Sequence, residues 1–352
     1  MAEEPTVDID PKGDLFLETS TENFKSKRFR VCSRALRRQS PVWEQMLFGP
    51  WKESKPADGK EWVVHLVGDP AGPLEIVLSI IHGKFDTVPD RLPIETLHQL
   101  LIITNKYDIT SIVRPWRGQW LKEASTAHRC LVAQSVVKSL YIAWELGDEH
   151  LFALRLENIS FNTEVDDDGR LCYQGLIDLD EEEYLGPQSV LETISKIRLG
   201  LLEKLISPVH RVIDARMALT PFCTHDSDTT AARTCDAAVI GSIYRGMIQE
   251  KGAILSKSAS DITESVVDLA SWIFSFMAKI EGTHRRPKPI RPKCSPHREL
   301  RDANFSIQDG IQAFVASCME PCYKEYMARQ RTKTGLVLGE QQTRGLREWN
   351  LY

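Results

Sequence analysis

Apolar positions in the first third of the chain alternate before they cluster at helical spacing. Asp14-Leu15-Phe16-Leu17-Glu18-Thr19 and Lys27-Arg28-Phe29-Arg30-Val31-Cys32 read as two strands joined by a polar turn over 20–26. The stretch from Trp62 to Val67 predicts a third strand, β-branched at Val63 and Val64 and stopped by Gly68-Asp69-Pro70. Ser33 is placed to cap a short helix, Arg34–Gln39, and Pro41 suits the first turn of the next, Val42–Leu47. Leu74, Val77, Leu78, Ile81 and Phe85 line one helical face; Ile94, Leu97, Leu101 and Thr104 line another that ends near Tyr107-Asp108. Ile112, Val113, Trp116 and Trp120 predict a third helix. Strands first, then helices packed on them, predict an α+β domain over residues 12–123, with 1–11 as a disordered tail.

The remainder, 124–352, reads as a mostly α-helical C-terminal region. Val132, Val136, Leu140 and Ala143 share a face of a helix over 129–146 that ends at Gly147. Asp167-Asp168-Gly169-Arg170 is a turn signal for a short hairpin within 161–173, and 178–183 is an acidic, solvated loop. Val190, Ile194, Ile197, Leu201 and Leu205 predict a long amphipathic helix that Pro208 bends or ends. Three more helices follow, carrying Val239, Ile243 and Met247; then Ile262 through Ile280 behind an Asp261/Glu264 capping pair; then Ile311, Phe314, Val315 and Cys318. A Pro-rich basic loop at 284–298 separates the last two, and no repeat of fixed period is apparent.

Composition narrows the function classes. The 352 residues are 42% hydrophobic and 26% charged with a net charge of −5, which disfavours nucleic-acid binding over the whole surface. The acidic N-terminus, Met1 to Asp8, lacks the apolar core of a signal peptide, and no window approaches the roughly 18 apolar residues that span a bilayer. The expectation is a protein of the cytoplasm, the nucleus or both, with no membrane association. Its eight cysteines are then reduced and mostly buried as small apolar residues.

Two groups of residues carry candidate chemistry. Cys223, Cys235, Cys294 and His297 make up a Cys₃His set, the soft and borderline donors that tetrahedral zinc takes, with Cys294-x-x-His297 able to supply two from one turn. The 11-residue gap between Cys223 and Cys235 is looser than an ordinary knuckle, and His225 competes as a ligand. Small apolar residues near helix ends are the more economical reading, so structural zinc is the alternative to no cofactor at all. The basic residues Arg285, Arg286, Lys288, Arg291 and Lys293 suit a nuclear-import signal or phosphate contact, and equally a solvated linker. Cys318-x₃-Cys322 in one helix reads as core packing. Glu164-x-Asp166-x-Asp168-Gly169 copies the start of an EF-hand loop, but Gly175 stands where a bidentate glutamate is needed, so a hairpin turn is the better account. His65, His82 and His98 lie in predicted strand or helices as solvent-facing or satisfied residues. No nucleophile elbow, P-loop, dinucleotide fingerprint, zincin or kinase motif is present, so the chain is not expected to be an enzyme.

Several stretches carry a family likeness. They are Gly13-Asp14-Leu15-Phe16-Leu17, Arg28 through Leu36, Ser40 through Leu47, Trp51-Lys52-Glu53, Leu66 to Asp69, Ile80 through Phe85, and Lys106-Tyr107-Asp108 ending in Arg114-Pro115-Trp116. In order and spacing they resemble the BTB/POZ family, and its fungal branch in particular. Ile197 to Asp214, Thr234 to Ile243 and Cys294-x-x-His297 resemble the C-terminal region of the same fungal proteins. Val31-Cys32-Ser33-Arg34 departs from the family, which usually has a histidine at that strand–helix junction, and no N-terminal strand for exchange is evident. The resemblance implies a protein–protein interaction module, an adaptor or scaffold. Its partners would be other proteins: a second copy in a homodimer, or a cullin of a ubiquitin ligase. The alternative is a nuclear, transcription-associated regulator contacting nucleic acid through Arg285–Lys293.

Overall fold

The computed structural model describes residues 6–21, 24–57, 59–125, 132–223, 228–250, 258–277, 280, 283, 294, 296 and 310–336. The chain is mixed α+β and divides into two compact units. The first holds residues 1–155, 184–187 and 321–342; the second holds 156–183, 188–320 and 343–352.

Strands β1 (Thr6–Asp8), β2 (Leu15–Thr21), β3 (Phe24–Val31) and β4 (Val63–Val67) form a sheet in the order β1-β3-β2-β4. β2 and β3 are an antiparallel hairpin; β1 runs parallel to β3 and β4 parallel to β2. A parallel neighbour needs a crossover, and helices α1 (Ser33–Gln39) and α2 (Pro41–Phe48) lie in the β3–β4 connection. The predicted alternation is realised: Leu15, Leu17, Phe29, Val31, Val64 and Leu66 are buried while Glu18 and His65 face out and pair. Residues 1–11 were expected as a tail, yet Val7 pairs with Phe29 in β1 and Ile9 is buried. Three residues are too short to show a period of two, which is why the strand escaped detection.

Helices α3 (Ala71–Ile81), α4 (Ile94–Lys106), α5 (Arg117–Ser125) and α6 (Ala133–Leu146) follow. α3 stops before Phe85, because Gly83 turns the chain at φ +73° and Phe85 enters a separate 3₁₀ turn. The helix expected from Ile112 to Trp120 is broken into a 3₁₀ turn, Thr110–Val113, and α5. Pro115 disfavours helical backbone at the residue before it and lacks an N–H to donate.

Ser33 does not cap α1. It is the first helical residue, and Asp14 from the start of β2 accepts hydrogen bonds from Ser33 N (2.9 Å) and Ser33 Oγ (2.8 Å). At the same junction His82, at the end of α3, accepts from Cys32 N at 3.0 Å through Nε2 and donates from Nδ1 to Leu78 O at 2.8 Å. Burial holds this imidazole below its ordinary pKa, in the neutral form that both bonds require.

The expected boundary at 123 falls inside the first unit. α6 packs on α4 and α5, and the first seven residues of α7 (Glu149–Asn162) belong to it too. The unit is completed by α12 (Pro321–Thr334), a helix that polar periodicity did not predict. Tyr326 stacks on Trp144 with centroids 4.3 Å apart, and Tyr323 meets Trp144 edge-on. Gly147, in the left-handed region at φ +80°, lets α12 pass: a Cβ there would lie 2.5 Å from Met327 O and Arg331 N. The buried Glu145 accepts from Asn105 Nδ2 (2.8 Å), Tyr326 Oη (2.7 Å) and Gln330 Nε2 (3.0 Å).

The second unit opens on a three-stranded sheet, β5 (Thr163–Val165), β6 (Leu171–Tyr173) and β7 (Ile177–Asp178), with the expected turn at Gly169 (φ +83°). α8 (Val190–Met217) runs 28 residues with Pro208 buried inside it, so the proline neither ends the helix nor stops its apolar face. α9 (Thr229–Glu250) and α10 (Val266–Met277) follow, then α11, described over 310–318. The Asp261/Glu264 pair does not open α10; Ser265 does, its Oγ accepting from Asp268 N at 3.1 Å and donating to Asp268 Oδ2 at 2.7 Å. Arg198 of α8 is buried and donates to the carbonyls of Thr163 (3.0 Å), Ile262 (2.7 Å) and Glu264 (2.8 Å), tying the small sheet to the segment before α10.

Cys318 and Cys322 do not share a helix. α11 ends at residue 318, Pro321 begins α12, and Cys322 is exposed. Among the described residues no helix is long and apolar enough to cross a membrane.

Candidate functional site

Three of the four Cys₃His residues come together in the second unit. After α8 ends at Met217 the chain turns back, and Asp236 of α9 fixes that turn. Its buried Oδ2 accepts from Phe222 N at 2.8 Å and Cys223 N at 3.4 Å. Arg216 lies over the Phe222 ring at 4.4 Å, a second contact to the same segment. Asp228 Oδ1 accepts from Thr230 N and so starts α9, placing Ala232 and Cys235 about one helical turn apart on its inner face. Cys294 completes the group, its Sγ 3.4 Å from Cys223 Sγ.

The three sulfurs all lie within 4.8 Å of one another. With Ala232 they form a buried cluster of small side chains. Burial pushes the Cys294 thiol well up, and its contacts with Cys223 and Cys235 push the same way. Burial also acts to raise Cys235, but hydrogen bonds from Thr283, Cys294 and Cys223 outweigh it and hold that thiol below its ordinary value. Of these two thiols, Cys235 is the readier thiolate.

His297 and the competing His225 lie outside the described residues, as do Arg285, Arg286, Lys288, Arg291 and Lys293 of the basic loop. Asp236 and Thr283 were missed by sequence reasoning. Asp236 follows Cys235 directly, but an aspartate within a helix carries no mark of bonding backbone amides 14 residues back.

The acidic hairpin spends its carboxylates on the turn. Asp166 Oδ1 accepts from Asp168 N and Arg170 N, and Arg170 pairs with Asp178 at 2.8 Å. β5 and β6 flank it in place of the helices of a calcium loop. A groove of about 560 Å³ beside it is lined by Leu171, Leu191 and Leu199 with Asp180, Ser195 and Lys196. None of its lining residues is a histidine or cysteine.

In the first unit, Val42, Phe48 and Trp51 stand on or just after α2 and are exposed, Trp51 to 60%. Phe48 is held edge-on against Trp62 at 5.9 Å, with the Arg37 guanidinium over its face at 4.8 Å. Such aromatic residues, ordered yet wet, are the kind that partner proteins bury. Comparison with protein-family models, with curated proteins and with solved structures found no match to this chain.

Proposed function

We propose that the chain is a protein–protein interaction protein whose first unit contains a BTB/POZ-type domain and serves as an adaptor or scaffold, with a cullin-type ubiquitin ligase as partner. The observation that carries this reading is the order of elements from β2 to α5. A β-hairpin leads through a helix pair to a strand parallel to β2, then to α3, α4 and α5. The residues that resemble the family occupy the working positions of this arrangement. Asp14 holds the start of α1, and Ser40 accepts from Trp43 N while donating to Tyr107 O at 2.6 Å. Asp69 receives Lys106 Nζ at 2.7 Å and Tyr107 Oη at 2.5 Å.

The N-terminal strand pairs in parallel with β3. Docking of a different protein needs no exchange of this strand. Val42, Phe48 and Trp51 supply the apolar centre such docking needs.

The test is capture of purified cullin N-terminal domains by the full chain, with the affinity measured by calorimetry. Binding is expected, and Trp51→Ala should weaken it about thirtyfold, the effect of losing an aromatic anchor worth roughly 2 kcal/mol. A chain that stays monomeric and recovers no partner above background would overturn the proposal.

A further inference from the structure

The geometry points to a zinc site built on Cys223, Cys235 and Cys294. Zinc–sulfur bonds of about 2.3 Å at the tetrahedral angle put ligand sulfurs roughly 3.8 Å apart. The 3.4 Å separation of Cys223 and Cys294, and the 4.8 Å limit on all three, bracket that spacing. To accept the ion, the sulfur–sulfur distances need to change by no more than about an ångström.

Core packing is the competing account, and the composition of the cluster speaks against it. The buried group consists of three thiols and the methyl of Ala232. Four small side chains bury too little apolar surface to gather the turn after α8, the middle of α9 and a segment 71 residues beyond Cys223. The surrounding polar groups restrain the ligands instead of filling space. Asp236 orients the Cys223 backbone, and Thr283 hydrogen-bonds Cys235. A disulfide between Cys223 and Cys294 would leave Cys235 buried against it with no bonding role.

Zinc binds all three as thiolates, each thiol proton leaving to solvent, and takes one further donor. The three thiolates come from buried residues, which suits a structural centre.

The full chain, purified under reducing conditions and supplied with zinc chloride, should retain about one zinc per chain after desalting. Cys235→Ser should retain less than about a tenth of that, while Cys172→Ser, in β6 and outside the cluster, should match the wild type. Because Cys235→Ser can fail by misfolding, cobalt(II) chloride gives an independent reading on the unaltered chain. Sulfur-to-cobalt charge-transfer absorption in the near ultraviolet is expected, and displaced by zinc. Wild-type protein holding under about a fifth of a zinc per chain, with no such absorption, would overturn the site. So would a Cys223–Cys294 disulfide that persists under reducing conditions and excludes metal.

Discussion

Two buried carboxylates of the first unit and two buried charged groups of the second are satisfied differently. In the first, side chain meets side chain across long stretches of sequence: Asp69 takes Lys106 and Tyr107, and Glu145 takes Asn105, Tyr326 and Gln330. In the second, side chain meets backbone. Arg198 gives its guanidinium to three carbonyls, and Asp236 collects two amides. Backbone groups are the same at every residue, so they constrain which residue does the bonding and leave its target free to vary. The first pattern leaves paired residue types in the sequence. The second leaves one unexplained arginine.

Two glutamates twelve positions apart sharpen the contrast. Burial pushes both carboxyls up, but donors from Tyr326 and Asn105 restrain Glu145, whereas burial acts alone on Glu157 of the second unit and raises it to about 7.

The largest effect should come from the aromatic centre of the first unit. Trp43 is fully buried and packs on Tyr107 with centroids 4.5 Å apart. Trp43→Ala is expected to lower unfolding free energy by about 3–5 kcal/mol in chemical denaturation. If the units are held by separate means, zinc retained per folded chain should not change. Next is Glu157. Its folded pKa lies above the unfolded value near 4.5, so the stability it contributes is full below pH 4.5 and lost as pH rises through about 7. Glu157→Gln should match the wild type near pH 4.5 and gain about 1–3 kcal/mol at pH 8, read as a rise in melting temperature. An equal gain at both pH values would sink the assignment. Smallest is the cap of α10: Ser265→Ala should cost about 1 kcal/mol, against less than about 0.5 kcal/mol for Asp261→Ala. The reverse order would restore the capping pair that the sequence suggested.

Much of the first unit was legible because its signals are local. Leu15 and Leu17 alternate with polar neighbours, Leu97 and Leu101 sit a turn apart, and Gly147 marks the end of α6. Its true extent was not. The buried face of α12 is Tyr323, Met327, Gln330 and Thr334, half of it polar and so invisible to a hydrophobic period. The cysteine cluster was legible from residue type alone, since Cys223, Cys235 and Cys294 lack the tight pairing of an ordinary zinc motif. The gap between Cys223 and Cys235 is bridged by the chain reversal from α8 into α9, which no spacing rule encodes.

The return of α12 also sets a clock on synthesis. Most of the second unit lies in sequence between Arg155 and Pro321 of the first, and Tyr326 is made 181 residues after Glu145. At about 5–20 residues per second, the ribosome needs roughly 10–40 seconds to deliver the hydroxyl that this carboxyl receives. Through that interval Trp144 lacks its stacking partner, and α6 and the turn Thr110–Val113 lack the helix that packs on them. A nascent chain stalled before residue 321 is therefore a natural client for holding chaperones, and release of that client should coincide with emergence of the last helix.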